Sequence, residues 1–515
     1  MELAAVASVV TIVSTVLKHG DTVIELYLSL KDARSEVNER ITQVRSHWHR
    51  TRVQIEFIER TWTSLRTEHQ TNQTEILALL NSKLKYAERR VQGLIKKNKN
   101  PNRTSSELPK VKRWKYVFVK SYLDSIISDL AKWQTLYDPS WYLIMTIASP
   151  VIDTELAIPG SFQSLEAMAV LESAKGVREA AALTSTPDSE KNVFLPAIER
   201  ADLTKIRHSS ALVMRRPTSS SVSIVEIIPC PTGNYVGSAT QDIRRLASKL
   251  RRADPKTFGI LQCRGAIKIY ANQGVRLTSF HMIFKAPSSG EPHTLREHLT
   301  IRTDHTLTER MTAAKRLATS VSYVHTLGFV HKNIRPENIL RFSPDDGKLG
   351  AFYLIGFEQI RSADGKTYMR GDDELEKNLY RHPERQGPHP EEAYMMQHDV
   401  YSLGACLLEI GLWDTFVRYN SQTDQVEAPG MALELSLEEI RRKRPSAVKD
   451  HLVALAKRRL PQLMGEIYTE IVINCLTCLD DDSLVYGDED DADEKTDDVL
   501  VGVRFIEQVR DRLTA

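Results

Sequence analysis

Apolar residues in the first 140 positions recur mostly at three- and four-residue intervals, which predicts helices with one buried face. Leu3 to Leu17 is nearly uncharged and reads as a first helix, with His19-Gly20 as its C-terminal stop and Asp21 as the N-cap candidate of a second helix. Leu30, Ala33, Val37, Ile41, Val44, Trp48, Ile55, Ile58, Trp62 and Leu65 mark one long amphipathic helix without Pro or Gly. Ile76, Leu80, Leu84, Ala87, Val91 and Leu94 mark a third, and Val119, Leu123, Ile126, Leu130, Trp133 and Tyr137 a fourth. Four such helices on short connections predict an antiparallel bundle, with a coiled-coil oligomer as its rival. After Trp141 to Ala148 and Pro150, the segment SFQSLEAMAVLESAKGVREAAAL reads as a connecting helix, and Thr184 to Asn192 has linker composition. Beyond it the pattern changes to short apolar runs, at Val222 to Ile228, Ala266 to Tyr270 and Ser279 to Pro287. Leu307 to Leu327 then returns to a helical period and stops at Gly328.

Length divides this pattern into two or three domains, since 515 residues exceed one core. The chain is 41% hydrophobic and 26% charged with a formal net charge of +2, so no overall field selects a polyanion and no nucleic-acid partner is expected. Five cysteines do not make a disulfide framework in so long a chain, and a reducing, cytoplasmic setting is expected. Cys475 and Cys478 have CxxC spacing inside an apolar helical run with no second pair, which reads as a buried helix face and not a zinc site. No apolar run reaches the roughly 18 to 20 residues of a membrane span. Glu2 stands where a signal peptide would carry positive charge.

Local charge is less even. Lys96, Lys97, Lys99, Arg103, Lys110, Lys112, Arg113 and Lys115 surround Trp114 with one acid, Glu107, among them. Basic residues beside an aromatic suit an anionic lipid surface, where each near-surface cation contributes about 1 kcal/mol, and they would suit RNA too; a solvated loop is the plainer alternative. Residues 480–498 hold eleven acids and one lysine and read as an insertion between helices. The opposite signs of the two stretches allow an electrostatic latch that salt would loosen.

The segment Tyr323 to Leu340, YVHTLGFVHKNIRPENIL, resembles the protein kinase catalytic segment H-R-D-L-x-x-x-N. His331, Lys332, Arg335 and Asn338 keep the spacing, but Asn333 replaces the proton-accepting Asp, and an amide takes up no proton near neutral pH. Gly356-Phe357-Glu358 aligns with the metal-binding D-F-G, its Asp replaced by glycine and Glu358 lying two positions on. Pro383 and Glu384 match the A-P-E segment, and Asp399 matches the helix residue that braces the catalytic loop. Lys268 imitates the lysine of V-A-I-K, yet only 65 positions separate it from Asn333, too few for the intervening kinase elements. Val222 to Ile228 is the better strand, which puts the lysine position near Ile228, and neither a glycine loop before it nor a Glu in Gln241 to Leu250 is present. Scaffold positions are thus kept and catalytic ones lost, which implies a pseudokinase with no expected cofactor and weak or absent ATP binding. Ser362, Thr367, Tyr368 and Tyr380 lie in the activation-loop equivalent as candidate phosphosites.

A helical bundle opening with MELAAVASVVTIVSTVL, then a connector and a kinase-like domain, resembles the fungal HeLo and HeLo-like proteins with C-terminal kinase-like domains; the mixed-lineage kinase-like executioner of necroptosis is similar in layout. The expected fold class is multidomain: an all-α bundle at 1–150, a connecting helix and linker at 151–192, and an α+β bilobal kinase-like domain at 193–515, its N-lobe about 195–287 and its C-lobe about 288–515. The resemblance implies a pseudokinase that releases the bundle to homo-oligomerise at the plasma membrane when an upstream protein or kinase acts, in fungal regulated cell death or non-self recognition. An atypical, weakly active Ser/Thr kinase and a non-enzymatic adaptor are the alternatives.

Overall fold

The structure is a computed structural model that describes residues 2–28, 35–65, 67–96, 115–147, 149–157, 165–182, 193–197, 202–216, 219–271, 276–287, 290–301, 305–342, 349–362, 374–387 and 394–480. Contacts divide the chain into two compact units, Met1–Arg178 and Glu179–Ala515.

The first unit is helical: α1 (Glu2–Leu28), α2 (Ser35–Thr61), α3 (Thr67–Lys96), α4 (Lys115–Ile144), α5 (Pro150–Ala157) and most of α6 (Leu165–Ala182), whose last turn passes the boundary. α1 packs on α2 and α3, and α4 packs on the same two, so the apolar stripes meet one another within the chain. Trp133, Tyr137 and Trp141 stack along the interior, and Phe57 meets Trp141 edge-on at 4.9 Å.

The expected stop at His19-Gly20 is corrected here, because α1 runs through it without a break. A Cβ on Gly20 would lie 2.0 Å from the Trp48 ring, so this glycine admits a tryptophan against the helix instead of ending it. Asp21, expected as an N-cap, sits inside α1 and accepts from Trp48 Nε1 at 3.0 Å and from Arg52 Nη1 at 2.9 Å. Among the described residues no helix is long and apolar enough to cross a membrane.

The second unit opens with β1 (Asp202–Lys205), β2 (Leu212–Arg216), β3 (Ser219–Pro229), α7 (Val236–Leu250), α8 (Pro255–Phe258), β4 (Cys263–Ala271) and β5 (Arg276–Lys285). These strands form one antiparallel sheet in the order β1-β2-β3-β5-β4. β3 lies between β2 and β5, and its run from Val222 to Ile228 holds five apolar residues with Ser223 and Glu226, the latter pairing in register with Met282. Val225, Ile267, Ile283 and Met214 join the strands in one buried cluster, and α7 packs on β4 and β5.

A mainly helical part comes next: β6 (Pro292–Thr294), α9 (Leu295–Ile301), α10 (Leu307–Thr326), β7 (Phe329–Val330), β8 (Ile339–Phe342), β9 (Ala351–Leu354), β10 (Arg361–Ser362), α11 (Leu375–Asn378), α12 (Met396–Leu412), β11 (Val417–Tyr419), β12 (Val426–Pro429), α13 (Leu437–Arg442), α14 (Pro445–Met464) and α15 (Glu466–Leu476). Thr306 and Glu309 close a capping box at the start of α10, and Gly328 takes φ +74° just beyond its end, so both ends are set by local sequence. α12 is the buried core helix, packed by α10, α14 and α15. Cys475 lies against Gly404 of α12, and both it and Cys478 are buried free thiols, as the apolar run predicts.

Candidate functional site

The site assembles where β7, the loop after it, the turn after β9 and strand β3 converge. Asp399, on the first turn of α12, is fully enclosed and receives four donors: the amides of His331 (2.6 Å) and Lys332 (2.9 Å), His325 Nε2 (3.1 Å) and the Tyr394 hydroxyl (2.8 Å). Burial pushes its carboxyl up, and the His325 hydrogen bond and neighbouring donors outweigh that and hold it below the usual carboxylate range. Lys332 adopts φ +66°, an unfavourable conformation for a residue with a Cβ, which the Asp399 bond to its amide helps to maintain.

The loop beyond is tied to itself. Asn333 donates through Nδ2 to Glu358 Oε1 at 2.6 Å and accepts from Arg335 Nε at 3.1 Å. Asn338 donates through Nδ2 to the Asn333 carbonyl at 2.8 Å, and its own carbonyl accepts from the Ile355 amide. Gly356, at φ +92°, leaves no room for a side chain, since a Cβ would meet Asn338 Cγ at 2.5 Å. Phe357 is buried between Phe284 and His331, with ring centroids 5.8 and 5.1 Å away. Burial holds His331 down at about 4, so its ring is neutral.

The residue that reaches this turn from the sheet is Glu226. Its Oε1 accepts from the Gly356 amide at 2.9 Å and its Oε2 from the Phe357 amide at 2.7 Å. β3 thus aims Glu226, two residues before Ile228, at the Gly356-Phe357 turn. A single charge in the mostly apolar run VSIVEII is the available signal, and only the strand's register against β5 says which side it faces. Burial and then the Glu358 carboxylate push Glu226 up to about 8, against the pull of the two amides. A carboxyl raised in the folded state stabilises at low pH and loses that contribution as pH rises from 4.5 towards 8. Glu226→Gln is accordingly expected to remove a slope of up to about 1.4 kcal/mol per pH unit over that window, read as urea midpoints at pH 5, 6.5 and 8.

The remaining predicted positions are scattered. Lys268 is on the outer strand β4, its ammonium 4.2 Å from the Phe194 ring centroid, with β5 between it and β3. The turn between β1 and β2, residues 206–211, contains no glycine. The Lys332 ammonium lies 5.5 Å over the Tyr394 ring, and Arg335 Nη1 is 3.9 Å from Glu337. Tyr380 is buried, its hydroxyl donating to Glu409 at 2.6 Å and accepting from Arg296, so modification there requires this pocket to open. Ser362 pairs with Phe329 in backbone register, while Thr367 and Tyr368 lie outside the described residues. Lys96 ends α3 and Lys115 begins α4; Lys97, Lys99, Arg103, Lys110, Lys112, Arg113 and the acids 481–498 lie outside the described residues. Pro383 and Glu384 form a 3-10 turn, Pro383–Arg385.

Chemically, the donor set does not fit the magnesium of a kinase. Asn338 offers a buried Oδ1 without a hydrogen-bond partner, but the D-F-G aspartate's place holds Gly356, which has no side-chain oxygen. β3 brings a carboxyl, Glu226, to the same turn, and a carboxyl attracts no phosphate.

No protein-family profile matches the chain. A 103-residue stretch, 19% of this chain and 16% of the relative, is 34% identical to eukaryotic translation initiation factor 2-alpha kinase 1 of Mus musculus. A 109-residue stretch, 19% of this chain and 6% of the relative, is 29% identical to eIF-2-alpha kinase GCN2 of Rattus norvegicus. The chain thus spans at most 16% of the length of these two relatives. Among solved structures, the Cydia pomonella granulovirus kinase PK-1 aligns over 54% of this chain and 86% of its own, with 15% identity and a TM-score of 0.34. The chain carries a protein kinase-like region beside a helical one.

Proposed function

We propose that the protein is a signalling pseudokinase whose kinase-like region controls the helical unit, which acts at a membrane. The observation that carries the first half is Glu226, a carboxyl that caps the Gly356 and Phe357 amides. Asn333 has no proton-accepting group, and its hydrogen bond to Glu358 engages a carboxylate near the reacting position. An upstream kinase or partner acting on residues 359–381 releases the helical unit, which oligomerises on anionic lipid of the plasma membrane. This half rests on the likeness in layout to HeLo-type proteins and on the basic residues 96–115, and it places the protein in fungal regulated cell death or non-self recognition.

The test has two arms. Mg-ATP is expected to leave the thermal midpoint of the full chain unshifted and to give no phosphotransfer; either signal, if lost in Asn338→Ala, would establish the second reading, a weakly active Ser/Thr kinase. That reading is favoured by Asn338 at its expected spacing and by the local identity to the eIF2-alpha kinases. Activated full-length protein is expected to release dye from vesicles containing anionic lipid. Absence of leakage would leave an adaptor that binds other proteins through the bundle.

A further inference from the structure

Away from the kinase-like site, the 3-10 turn Pro383–Arg385 is held against the start of α12 by a small histidine cluster. His382 and His398 are both buried, with rings 5.5 Å apart, and Tyr401 closes one side of His382 edge-on at 5.2 Å. Both ring nitrogens of His382 and the Nε2 of His398 are buried without a hydrogen-bond partner. Three such atoms in one place are unusual, because buried polar atoms are nearly always satisfied by protein, water or an ion. Glu384 reaches over the pair from the solvent side, its side chain 43% exposed, with Oε2 3.3 Å from His382 Nδ1 and 3.9 Å from His398 Nε2. The first separation is short, yet the groups are not aligned as donor and acceptor.

We propose that His382, Glu384 and His398 form a binding site for a divalent transition metal of the zinc class, which clips the Pro383–Arg385 turn to helix α12. One ligand atom from each residue lies within 4.8 Å of the others. Tetrahedral zinc with bonds of about 2.0–2.2 Å needs ligand atoms roughly 3.3–3.6 Å apart, so His382 and Glu384 already have that spacing and a small inward shift completes the set. Two imidazoles and one carboxylate select zinc, cobalt or nickel over magnesium or calcium, and the exposed side of Glu384 leaves a fourth position for water. Burial keeps both rings uncharged, so no proton on a cationic imidazole competes for the ion. His398 Nδ1 accepts from the Met395 amide at 3.0 Å, so binding through Nε2 moves the ring proton to Nδ1 and hands that amide to water, which half-buried Met395 admits. Of the nearby cations, Lys449 is paired with Asp480, and Arg385 lies over the Tyr394 ring at 5.5 Å.

The test uses the full chain, stripped with chelator and titrated with Co(II) and then Zn(II). One Co(II) per chain is expected, with visible d–d bands and no thiolate charge-transfer band, displaced by Zn(II). Zn(II) is expected to slow hydrogen exchange over 382–386 and 395–400 and nowhere in α1–α4. Glu384→Gln, with folding checked by its circular dichroism spectrum and thermal midpoint without metal, is expected to weaken binding at least tenfold, and His382→Gln to abolish it. A thiolate band would assign the ion to cysteine and overturn the proposal. No bound metal, or affinity unchanged in both variants, would overturn it as well. None of these readouts depends on phosphotransfer or membrane activity.

Discussion

Arg296→Met is expected to destabilise the kinase-like unit by about 3–5 kcal/mol, the usual loss when one partner of a buried ionic network is removed. Arg296 comes from the short helix α9 and its side chain is 0% exposed. It donates to Glu337 Oε1 at 2.9 Å and to Glu409 Oε1 at 2.5 Å, and it also meets Thr415 and the Tyr380 hydroxyl. One guanidinium thereby ties α9 to the catalytic-loop turn, to α12 and to the segment after α11. Burial opposes its charge, and Glu337 and Glu409 outweigh burial and keep it protonated. Methionine fills the volume but strands two buried carboxylates. Hydrogen exchange in the full chain should quicken across α9 and α12 while α1–α4 serve as reference; unchanged protection would refute the assignment. Replacing Glu337 and Glu409 by Gln in the same chain should recover part of the loss, because neutral partners need no counter-charge.

Asp399→Ala is the second large effect, expected at about 3–5 kcal/mol. Four buried donors converge on this one carboxylate, and each donor left unsatisfied costs about 1–3 kcal/mol, part of which water entering the cavity recovers. The left-handed turn at Lys332 would also lose its restraint, so exchange at residues 331–333 should rise more than elsewhere. Asp399→Asn should fall between, since the amide keeps one accepting oxygen and turns the other into a donor. Equal stability of the alanine and aspartate forms would remove Asp399 from the role of brace.

Both residues sit in segments whose roles are unequally visible. Asp399 stands out because its neighbours DVYSLG match a known pattern. Arg296 does not, since an arginine in TLREHL has the appearance of any solvated helix residue until its partners, 41 and 113 positions away, are brought to it. Glu226 is visible as an odd charge in a mostly apolar run, yet only the tertiary structure shows that it reaches the Gly356-Phe357 turn.

Periodicity determined the helical first part and the faces that its helices bury, while the spacing of the catalytic-loop residues was legible through the likeness to a kinase segment. Those features depend on contacts three or four positions apart, or on spacing within one segment, and both are written locally. Tertiary structure decided the rest. α1 passes Gly20 because Trp48 of another helix fills the space, Glu226 caps Gly356 and Phe357 because β3 has one register against β5, and His382 meets His398 because a turn folds back on α12. Each is a pairing between distant segments, and such pairings are set by how whole faces pack.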